Sequence, residues 1–381
     1  MHLSDLHIGR KLHKSNLIED QKHVLYEIVK HIKEKSIDLL LIAGDVYDKS
    51  NPSSEAVTLL NDFLTKVIKE TKSEIILIAG NHDSPDKIEF ASEILKDGGL
   101  NIFGNLSEKI NKITLKDKYG DINFYPIPYI EASQCRRIFN DENIKVQDDA
   151  YKKILEEINR EIEVNQRNIC IAHGYITGIK SLETSESERP SSIGTAEYVN
   201  VEYFDKFDYV ALGHLHQPQK VKKDTIRYGG SLLKYSFSEA NHNKSIPIIT
   251  LNEKGNTNID FLEIKPLKDL RVIKGKLKDL VKDEVSKIEN RKDYIMAELL
   301  DKGELLDPMN TLRSVYPNAL KIRRFQESKT GESQYSISDN FSRKKPIDIL
   351  ENFYKDILDK DISEKEYSLL EKMVKEAGRL E

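Results

Sequence analysis

The strongest chemical signal in the sequence is a set of five short polar clusters. They are Asp5-Leu6-His7, Gly44-Asp45, Gly80-Asn81-His82-Asp83, His173-Gly174 and Gly213-His214-Leu215-His216, and they hold half of the ten histidines. Each cluster follows an apolar run that is typical of a β-strand. Because ligands of open α/β sheets bind beyond the carboxyl ends of the strands, we expect the five clusters to meet in one cleft.

The clusters offer carboxylate, imidazole and amide groups but no thiolate, and this donor set suits a divalent ion such as manganese, iron or zinc. The candidate ligands are Asp5, His7, Asp45, Asn81, His173, His214 and His216. They outnumber the ligands of one ion with open positions, so we expect two ions and a shared aspartate. Strand alternation should aim Asp5 with His7, because residues two apart in an extended segment point the same way. His214 and His216 should pair likewise. Two divalent ions offset by two aspartates and a hydroxide leave a net positive charge, which suits a phosphodiester anion.

This ordered set resembles the calcineurin-like metallophosphoesterase superfamily, whose pattern of Asp-x-His, Gly-Asp, Gly-Asn-His-Asp/Glu, His and Gly-His-x-His is matched within residues 1–264. Segments 4–10, 43–48 and 209–216 are most similar to the SbcD family of bacterial nuclease subunits. The resemblance implies two divalent ions, with manganese favoured. The implied ligands of one ion are Asp5, His7, Asp45 and His216, and those of the other are Asp45, Asn81, His173 and His214. It also implies that His82 is the catalytic histidine and that Asp48 orients it.

By the same resemblance the chain would be a DNA nuclease, acting as an exonuclease on duplex ends and as an endonuclease on single strands and hairpins. The alternatives are a phosphatase or nucleotide phosphodiesterase of the same fold, and a non-catalytic scaffold. The Gly-Asp-x-x-Asp-Arg-Gly motif of protein phosphatases is absent, because Lys49 and Ser50 follow Asp48. A scaffold would be expected to have lost ligands, and every candidate ligand is present.

The first third of the chain alternates apolar runs with amphipathic stretches, which predicts helices packed on a buried sheet. Strands are predicted at 37–43, 74–79, 168–172 and 209–212, with crossover helices over 24–32 and 57–67. Short alternating segments from 220 to 264 indicate antiparallel strands. The expected fold is therefore an α/β two-sheet sandwich flanked by helices, over residues 1–264.

Three further segments are expected after the sandwich. A strand–helix–strand–helix–strand rhythm over 265–325 predicts a small α+β domain, which by resemblance would be a capping domain over the cleft. Residues 326–345 are rich in Ser, Lys and Gly, and are interpreted as a flexible linker. Residues 346–381 show two amphipathic helical stripes, with Ser363 and Glu366 as a capping box between them.

The resemblance also implies partners. Helices too small to form a core need a partner surface, and the simpler alternative is that the tail docks on the chain's own catalytic domain. By the resemblance, the tail would instead bind the coiled-coil base of an SbcC-type ATPase. The apolar stripe that would make this contact is Ile347, Leu350, Phe353, Tyr354 and Ile357. The complex would be a homodimer of this chain within a heterotetramer. Arg10, Lys11 and Lys14 follow the first cluster and are candidates for contacts with the phosphate backbone at DNA ends and hairpins.

Composition excludes several classes of protein. The 381 residues carry a formal net charge of −5, which argues against a histone-like, DNA-coating protein. No apolar stretch approaches the roughly 20 residues that a membrane span needs. Cys135 and Cys170 are too few for a disulfide framework. The N-terminus lacks the residue order of a secretory signal, so a cytoplasmic, nucleoid-associated protein is expected.

Two expectations concern the surroundings of the clusters. The remaining histidines, His2, His13, His23, His31 and His242, are interpreted as surface or helix residues. Only Met1-His2-Leu3 precedes Ser4, whereas members of the superfamily have a longer first strand. We therefore expect either a short first strand or a chain start that lies upstream.

Overall fold

The structure is a computed structural model, and it describes residues 1–178, 182–188, 198–282, 290–324, 362–363 and 366–367. Residues 1–325 form one compact unit, and residues 326–381 form a second. The predicted linker and most of the tail, with Ile347, Leu350, Phe353, Tyr354 and Ile357, lie outside the described residues. In the second unit, the Ser363 N–H donates to the Glu366 carboxylate at 2.9 Å, and the Glu366 N–H donates to the Ser363 hydroxyl at 3.4 Å. These contacts confirm the predicted capping box.

The regular elements of the compact unit are numbered in chain order. Within the described ranges the helices are α1 (Ile18–Glu34), α2 (Ser54–Lys66), α3 (Pro85–Ile88), α4 (Ser92–Lys96), α5 (Ala132–Phe139), α6 (Gln147–Glu161), α7 (Leu277–Leu280) and α8 (Pro308–Arg313). The strands are β1 (His2–Leu3), β2 (Lys11–Leu12), β3 (Ser15–Asn16), β4 (Leu39–Ala43), β5 (Glu74–Ile78), β6 (Leu100–Phe103), β7 (Ile113–Asp117), β8 (Gly120–Ile127), β9 (Arg167–His173), β10 (Ile176–Thr177), β11 (Val199–Asn200), β12 (Tyr209–Gly213), β13 (Gln219–Val221), β14 (Lys223–Tyr228), β15 (Ser245–Leu251), β16 (Thr257–Glu263), β17 (Leu270–Gly275), β18 (Tyr294–Leu299) and β19 (Ala319–Arg324). A π-helical turn, Val67–Thr71, extends α2, and 3-10 turns cover Val201–Phe204 and Phe237–Glu239.

Two sheets form the body of this unit. The first has the order β1-β4-β5-β6, and all its pairs are parallel. The second has the order β13-β14-β12-β9-β8-β7, with four parallel central strands and an antiparallel strand at each edge. Parallel pairing places the carboxyl ends of β1, β4 and β5 at one edge of the first sheet, and those of β8, β9 and β12 at one edge of the second.

The two sheets pack face to face through alternate residues of their strands. Leu41 and Ile76 of the first sheet share one buried cluster with Ile169 and Ala211 of the second. The alternate residues of the first sheet, such as Leu40, pack instead in the cluster that contains α1 and α2. Helices α5 and α6 cover the outer face of the second sheet. The helix–sheet–sheet–helix order confirms the predicted sandwich.

The two crossover helices follow the predicted apolar stripes. In α1 the stripe residues Val24, Leu25, Ile28, Val29 and Ile32 are all buried. Helix α2 begins after Ser53, whose hydroxyl accepts the Ala56 N–H at 3.3 Å and so caps the helix. Its stripe is narrower than predicted, because Val57 is exposed. No helix among the described residues is long and apolar enough to cross a membrane.

The strand–helix–strand–helix–strand order predicted after residue 265 is confirmed. Strands β17, β18 and β19 form a parallel sheet, which has its own buried cluster around Ile273, Ile295 and Tyr316. This sheet is joined to α1 by Asp20, whose carboxylate accepts the Tyr294 hydroxyl at 2.8 Å and lies 3.2 Å from Lys268 Nζ. The exact domain boundaries stay predictions.

Some expectations about this region are wrong. Strand β14 pairs in parallel with β12, and the antiparallel pairing predicted over 220–264 holds only for β13 with β14 and for β15 with β16. Residue alternation marks a strand but does not reveal the direction of its partner. His2 and His242 are buried rather than exposed. His2 lies in β1, and its Nδ1 is 3.0 Å from the hydroxyl of Tyr209, which belongs to strand β12 of the second sheet.

Candidate metal centre

The structure brings the five polar clusters together where the two sheets meet at the carboxyl ends of their strands. The clusters follow β1 (Asp5 and His7), β4 (Asp45), β5 (residues 80–83), β9 (which ends at His173) and β12 (His214 and His216). The loops after β1 and β4 are joined by main-chain hydrogen bonds. The Asp5 N–H donates to the Gly44 carbonyl at 3.1 Å, and the His7 N–H donates to the Asp45 carbonyl at 2.9 Å.

The chain segments approach so closely at this edge that Gly213 and Gly80 have no room for a side chain. A Cβ on Gly213 would lie 1.9 Å from the Ala43 carbonyl oxygen, and a Cβ on Gly80 would lie 2.2 Å from the Asp45 backbone nitrogen. Any side chain at Gly213 would therefore push β12 away from β4. These two glycines set the spacing between ligands that different strands contribute.

Four candidate ligands have a left-handed backbone conformation that L-residues rarely adopt. The φ angles are +52° at Asp5, +44° at His7, +49° at Asp45 and +113° at His214. Each such conformation costs on the order of 1–3 kcal/mol and is typical of functional sites. The predicted pairing of His214 with His216 is wrong, because Nδ1 of His214 faces Asn81 whereas Nε2 of His216 faces His7. Because β1 ends at Leu3, strand alternation is also the wrong explanation for the common direction of Asp5 and His7. Left-handed turns place them instead.

One half of the centre consists of Asp5, His7 and His216, and we call it the His216 position. Its ligand atoms lie within 4.8 Å of one another. Nε2 of His7 and Nε2 of His216 are 3.0 Å apart. The Asp5 carboxylate also accepts the backbone N–H of His214 at 3.0 Å, which joins the β1 cluster to the β12 cluster. All three ligands are buried.

The other half consists of Asn81, His173 and His214, and we call it the His173 position. Asn81 Oδ1 lies 2.9 Å from His173 Nε2 and 3.2 Å from His214 Nδ1. Nδ1 of His173 donates to the Ala43 carbonyl at 2.9 Å, since a carbonyl can only accept. In its neutral form this ring therefore turns the Nε2 lone pair toward the Asn81 oxygen.

Asp45 lies between the two halves. Its Oδ2 is 3.6 Å from His7 Nε2 and 3.5 Å from His173 Nε2. Its Oδ1 accepts the backbone N–H of His82 at 2.8 Å. One carboxylate therefore faces both the His216 position and the His173 position, as a ligand shared by two ions must.

Burial dominates the electrostatics of the centre. It raises the pKa of the Asp5 carboxyl to about 6, lowers the pKa of the His214 imidazole to about 3, and holds the pKa of His7 well below its usual value. The neutral rings of His7 and His214 each offer a lone pair to a cation. The Asp45 carboxylate outweighs burial at His173 and raises its pKa to about 9, so an ion bound there would displace a proton. The residues present fit two divalent ions with oxygen and nitrogen ligands. Manganese stays a prediction.

His82 lies beside both halves. Its ring meets that of His7 edge to face at 4.7 Å, and its Nε2 is 3.9 Å from Asp45 Oδ2. These three side chains form a further candidate ligand group. His82 Nδ1 donates to the backbone carbonyl of Asp48 at 2.9 Å, so Asp48 orients the ring through its main chain. The Asp48 carboxylate lies 2.7 Å from Nη1 of Arg10. The catalytic roles of His82 and Asp48 stay predictions.

The candidate DNA-binding residues lie close to the centre. The Arg10 N–H donates to the His7 carbonyl at 3.0 Å, and the Arg10 side chain pairs with Asp48. Lys11 and Lys14 are exposed and belong to the β2–β3 hairpin that follows. A basic hairpin next to the ligands is compatible with contacts to a nucleic-acid backbone, which stay predictions.

Several residues support the candidate ligands without being candidate ligands themselves. Asp83 stands in the third cluster, and its carboxylate accepts the Val46 and Gly80 N–H groups, which locks the loops after β4 and β5. Ser187 and Glu239 contact Nδ1 of His216 at 2.7 and 3.2 Å. They stand 29 and 23 residues away from that ligand, so no motif spacing indicates them.

Comparison with known proteins agrees with this geometry. A family model described as calcineurin-like phosphoesterase matches residues 1–218, and one described as type 5 capsule protein repressor C-terminal domain matches residues 266–357. The chain is 36% identical over 369 residues to a protein of Staphylococcus epidermidis described as the SbcD subunit of the nuclease SbcCD. That match covers 96% of this chain and 94% of the relative.

Two solved structures match more weakly. The phosphopantetheinyl hydrolase PptH of Mycobacterium tuberculosis has a TM-score of 0.33 and 14% identity, over 60% of this chain and 87% of that one. A dimetal phosphatase of Danio rerio has a TM-score of 0.39 and 9% identity, over 69% of this chain and 98% of that one. Neither bears on the substrate. The family model over most of the body and the relative over nearly the whole chain identify a phosphodiester hydrolase. The chain therefore belongs to the calcineurin-like phosphoesterase family and, within it, to the SbcD nuclease subunits.

Proposed function

We propose that this chain is the metal-dependent nuclease of a two-protein complex, which degrades double-strand DNA ends and cuts single strands and hairpins with an SbcC-type ATPase as partner. The observation that carries the proposal is the complete donor set, with every predicted ligand at the edge where the sheets meet. A scaffold would need no such set. The similarity to a nuclease subunit over 96% of the chain favours DNA over a small phosphoester as substrate.

The chain's own groups account for positioning and proton transfer. Two bound divalent ions would activate a water and stabilise charge on the phosphoryl oxygens. Asp45 faces both positions and would bridge them. The proposed acid is His82. Its Nδ1–H is held by the Asp48 carbonyl, so Nε2 faces Asp45 and can hold the proton that the leaving oxygen takes up.

Binding of DNA would depend on charge and shape rather than on base sequence. Lys11 and Lys14 are free to contact phosphates from the exposed hairpin. Arg10 reaches the centre through Asp48 and is better placed for a phosphate near the cut. Backbone contacts of this kind weaken steeply with salt and carry little sequence information.

The proposed complex contains two copies of this chain and two of the ATPase. Exposed apolar side chains support contact with another chain. Phe90, just before α4, is 80% exposed, and Ile94, within α4, is 78% exposed. The tail stripe Ile347, Leu350, Phe353, Tyr354 and Ile357 would bind the ATPase in a helix-in-groove contact. The complex would act in DNA repair, recombination and replication, in the cytoplasm and on the nucleoid.

Substrate preference tests the proposed activity. The purified chain, loaded with manganese, is given duplex DNA ends, DNA hairpins, small phosphoesters and phosphopeptides. We expect rapid cleavage of the DNA substrates and little turnover of the others. Preferential hydrolysis of phosphopeptides or nucleotides would support a phosphatase or phosphodiesterase instead, and tight binding of metal without hydrolysis of any of them would contradict an enzyme.

Deletion of residues 346–381 tests the proposed partner. We expect the shortened chain to cleave single-stranded DNA with manganese as the full chain does, because every candidate ligand lies within residues 5–216. It should no longer copurify with the ATPase or process duplex ends in an ATP-dependent way. Undiminished affinity for the ATPase would show that the tail is not the contact.

A further inference from the structure

His216 is held by side chains that lie outside the five polar clusters. Its ring Nδ1 lies 2.7 Å from the Ser187 hydroxyl and 3.2 Å from the Glu239 carboxylate. Its backbone N–H donates to the Glu188 carboxylate at 2.7 Å, and its carbonyl accepts from Lys244 Nζ at 2.8 Å. Both main-chain groups and the ring of one candidate ligand are therefore fixed by residues that are distant in sequence.

The centre of this support is a buried ion pair. Glu239 is completely buried, and its Oε2 lies 2.6 Å from Nζ of Lys244. Its Oε1 faces the His216 ring and also accepts the Tyr235 N–H at 3.2 Å. A carboxylate paired with a lysine ammonium in this way is an acceptor only. The Ser187 hydroxyl lies between the two side chains, because it donates to Glu239 Oε1 and contacts Nδ1 of His216. Since its one hydrogen goes to the carboxylate, the hydroxyl accepts from Nδ1–H, which leaves the Nε2 lone pair free to face His7 and the centre.

We propose that Glu239, held by Lys244 and bridged by Ser187, is a positioning residue that fixes the ring orientation and tautomer of His216 for the ion at the His216 position. The inference rests on the proposed two-ion centre. Outer partners of metal-binding histidines are commonly carboxylates, and their loss typically weakens metal affinity roughly 10- to 100-fold.

The proposal also gives a role to segment 182–188. Besides Ser187, this segment contributes Glu188, whose side chain accepts the His216 N–H. Main-chain N–H groups of the segment donate hydrogen bonds to side chains of β13 and of the Phe237–Glu239 turn. The Glu183 N–H donates to the Gln219 side chain at 3.0 Å, and the Glu186 N–H donates to the Ser238 hydroxyl at 3.0 Å. Segment 182–188 thus holds His216 against Glu239.

The matching atom at the His173 position is supported differently. There the ring Nδ1 donates to the Ala43 carbonyl, so the orientation of His173 needs no acidic side chain. Loss of Glu239 should therefore weaken one ion position and leave the other unchanged. A general loosening of the fold would weaken both.

The test uses manganese alone as the probe, titrated into the metal-free full-length chain. In the Glu239→Leu, Lys244→Met double variant both charges are removed together, so that no unpaired charge is buried. By calorimetry we expect one of two binding events to weaken roughly 10- to 100-fold while the other keeps its affinity. The paramagnetic resonance signal of two coupled manganese ions should then require correspondingly more metal. Two binding events of parental affinity, or equal weakening of both, would overturn the proposal.

Further variants separate positioning from a purely structural role. Glu239→Gln keeps an acceptor oxygen near Nδ1, so it should retain more affinity than the double variant. Ser187→Ala leaves the ion pair intact and carries the test if the double variant fails to fold, as judged by circular dichroism. It should weaken the same single event about 3- to 10-fold, as the loss of one buried hydrogen bond would. Unchanged binding in a folded Ser187→Ala chain would also overturn the proposal.

These measurements are independent of DNA cleavage. A parent chain that binds two manganese ions but leaves DNA intact would contradict the proposed function and not the role of Glu239. A double variant with parental metal affinity would contradict the role of Glu239 and leave the proposed function untouched.

Discussion

Two histidines of the same centre, His173 and His216, are supported by different parts of the protein. His173 ends a central strand, its ring donates to the main chain of Ala43, and its own carbonyl accepts the Tyr151 hydroxyl at 2.7 Å. His216 lies beyond the end of its strand, and its ring contacts the side chains of Ser187 and Glu239.

The difference shows that a candidate ligand can be fixed by the main chain of the fold or by particular side chains. The support of His173 comes from the packing of the two sheets, because the acceptor at Ala43 is a main-chain carbonyl. The support of His216 depends on a hydroxyl and a buried carboxylate, which single substitutions remove. Variation in metal affinity among substituted chains should therefore arise mainly at the His216 position.

The largest effect is expected when Asp45, the carboxylate that faces both positions, is substituted. In Asp45→Ala we expect both manganese-binding events to weaken, because this carboxylate faces both positions. Cleavage should fall by more than the roughly 10²- to 10⁴-fold that loss of an acid–base group costs. Calorimetry and a nuclease assay on the same preparation check this. Retention of two tight binding events would show that Asp45 does not bridge.

A smaller effect is expected where chemistry is lost but both positions are kept. In His82→Ala we expect both ions to bind as in the parent, while cleavage under saturating manganese falls roughly 10²- to 10⁴-fold. If His82 were a third ligand rather than an acid, metal affinity would fall as well. Cleavage at the parental rate would remove His82 from the mechanism.

A matched pair of hydroxyl deletions sharpens the comparison directly. Tyr151→Phe removes the hydroxyl that donates to the His173 carbonyl, and Ser187→Ala removes the hydroxyl next to the His216 ring. We expect Tyr151→Phe to lower the free energy of unfolding by about 1–3 kcal/mol, because a buried carbonyl loses its donor. Its metal affinities should stay unchanged. Weaker metal binding in Tyr151→Phe than in Ser187→Ala would show that the His173 position, and not the His216 position, is the more sensitive to side-chain changes.

The last prediction concerns the stability of the fold alone, through His2 in β1, the strand that leads to Asp5 and His7. Burial, with the nearby N-terminal ammonium and Arg227, lowers the pKa of His2 to about 3 from an ordinary value of 6.5. The unfolded chain therefore binds a proton between these values that the folded chain excludes. We expect the free energy of unfolding of the metal-free protein to fall as pH drops below 6.5, by up to about 1.4 kcal/mol per pH unit from this group.

The control for this prediction is His2→Gln, which has no group that titrates in the same range. Urea unfolding of the metal-free parent and variant, measured at several values of pH, should give a shallower acid slope for the variant. Parallel slopes would show that His2 is protonated in the folded chain.

The sequence indicated the candidate ligands because each of their clusters follows a strand-like run, and four of the five clusters contain a glycine. The order of elements predicted the sandwich, and the clusters predicted which strand ends meet. Three features depended on contacts that sequence patterns do not encode. The left-handed turns at Asp5 and His7 arise from main-chain bonds to the loop after β4. The direction of β14 depends on which strand it meets, and Glu239 is recruited to His216 from 23 residues away.

During synthesis the first sheet leaves the ribosome well before the second is complete. Strands β1, β4, β5 and β6 end at Phe103, whereas β9 and β12 begin at Arg167 and Tyr209. Until those strands emerge, the apolar face of the first sheet that carries Leu41 and Ile76 is not yet covered by them. Exposed apolar surface of this kind promotes aggregation and is what chaperones bind. The full ligand set exists only once His216 has been made. We therefore expect tight binding of metal only after the two sheets have joined.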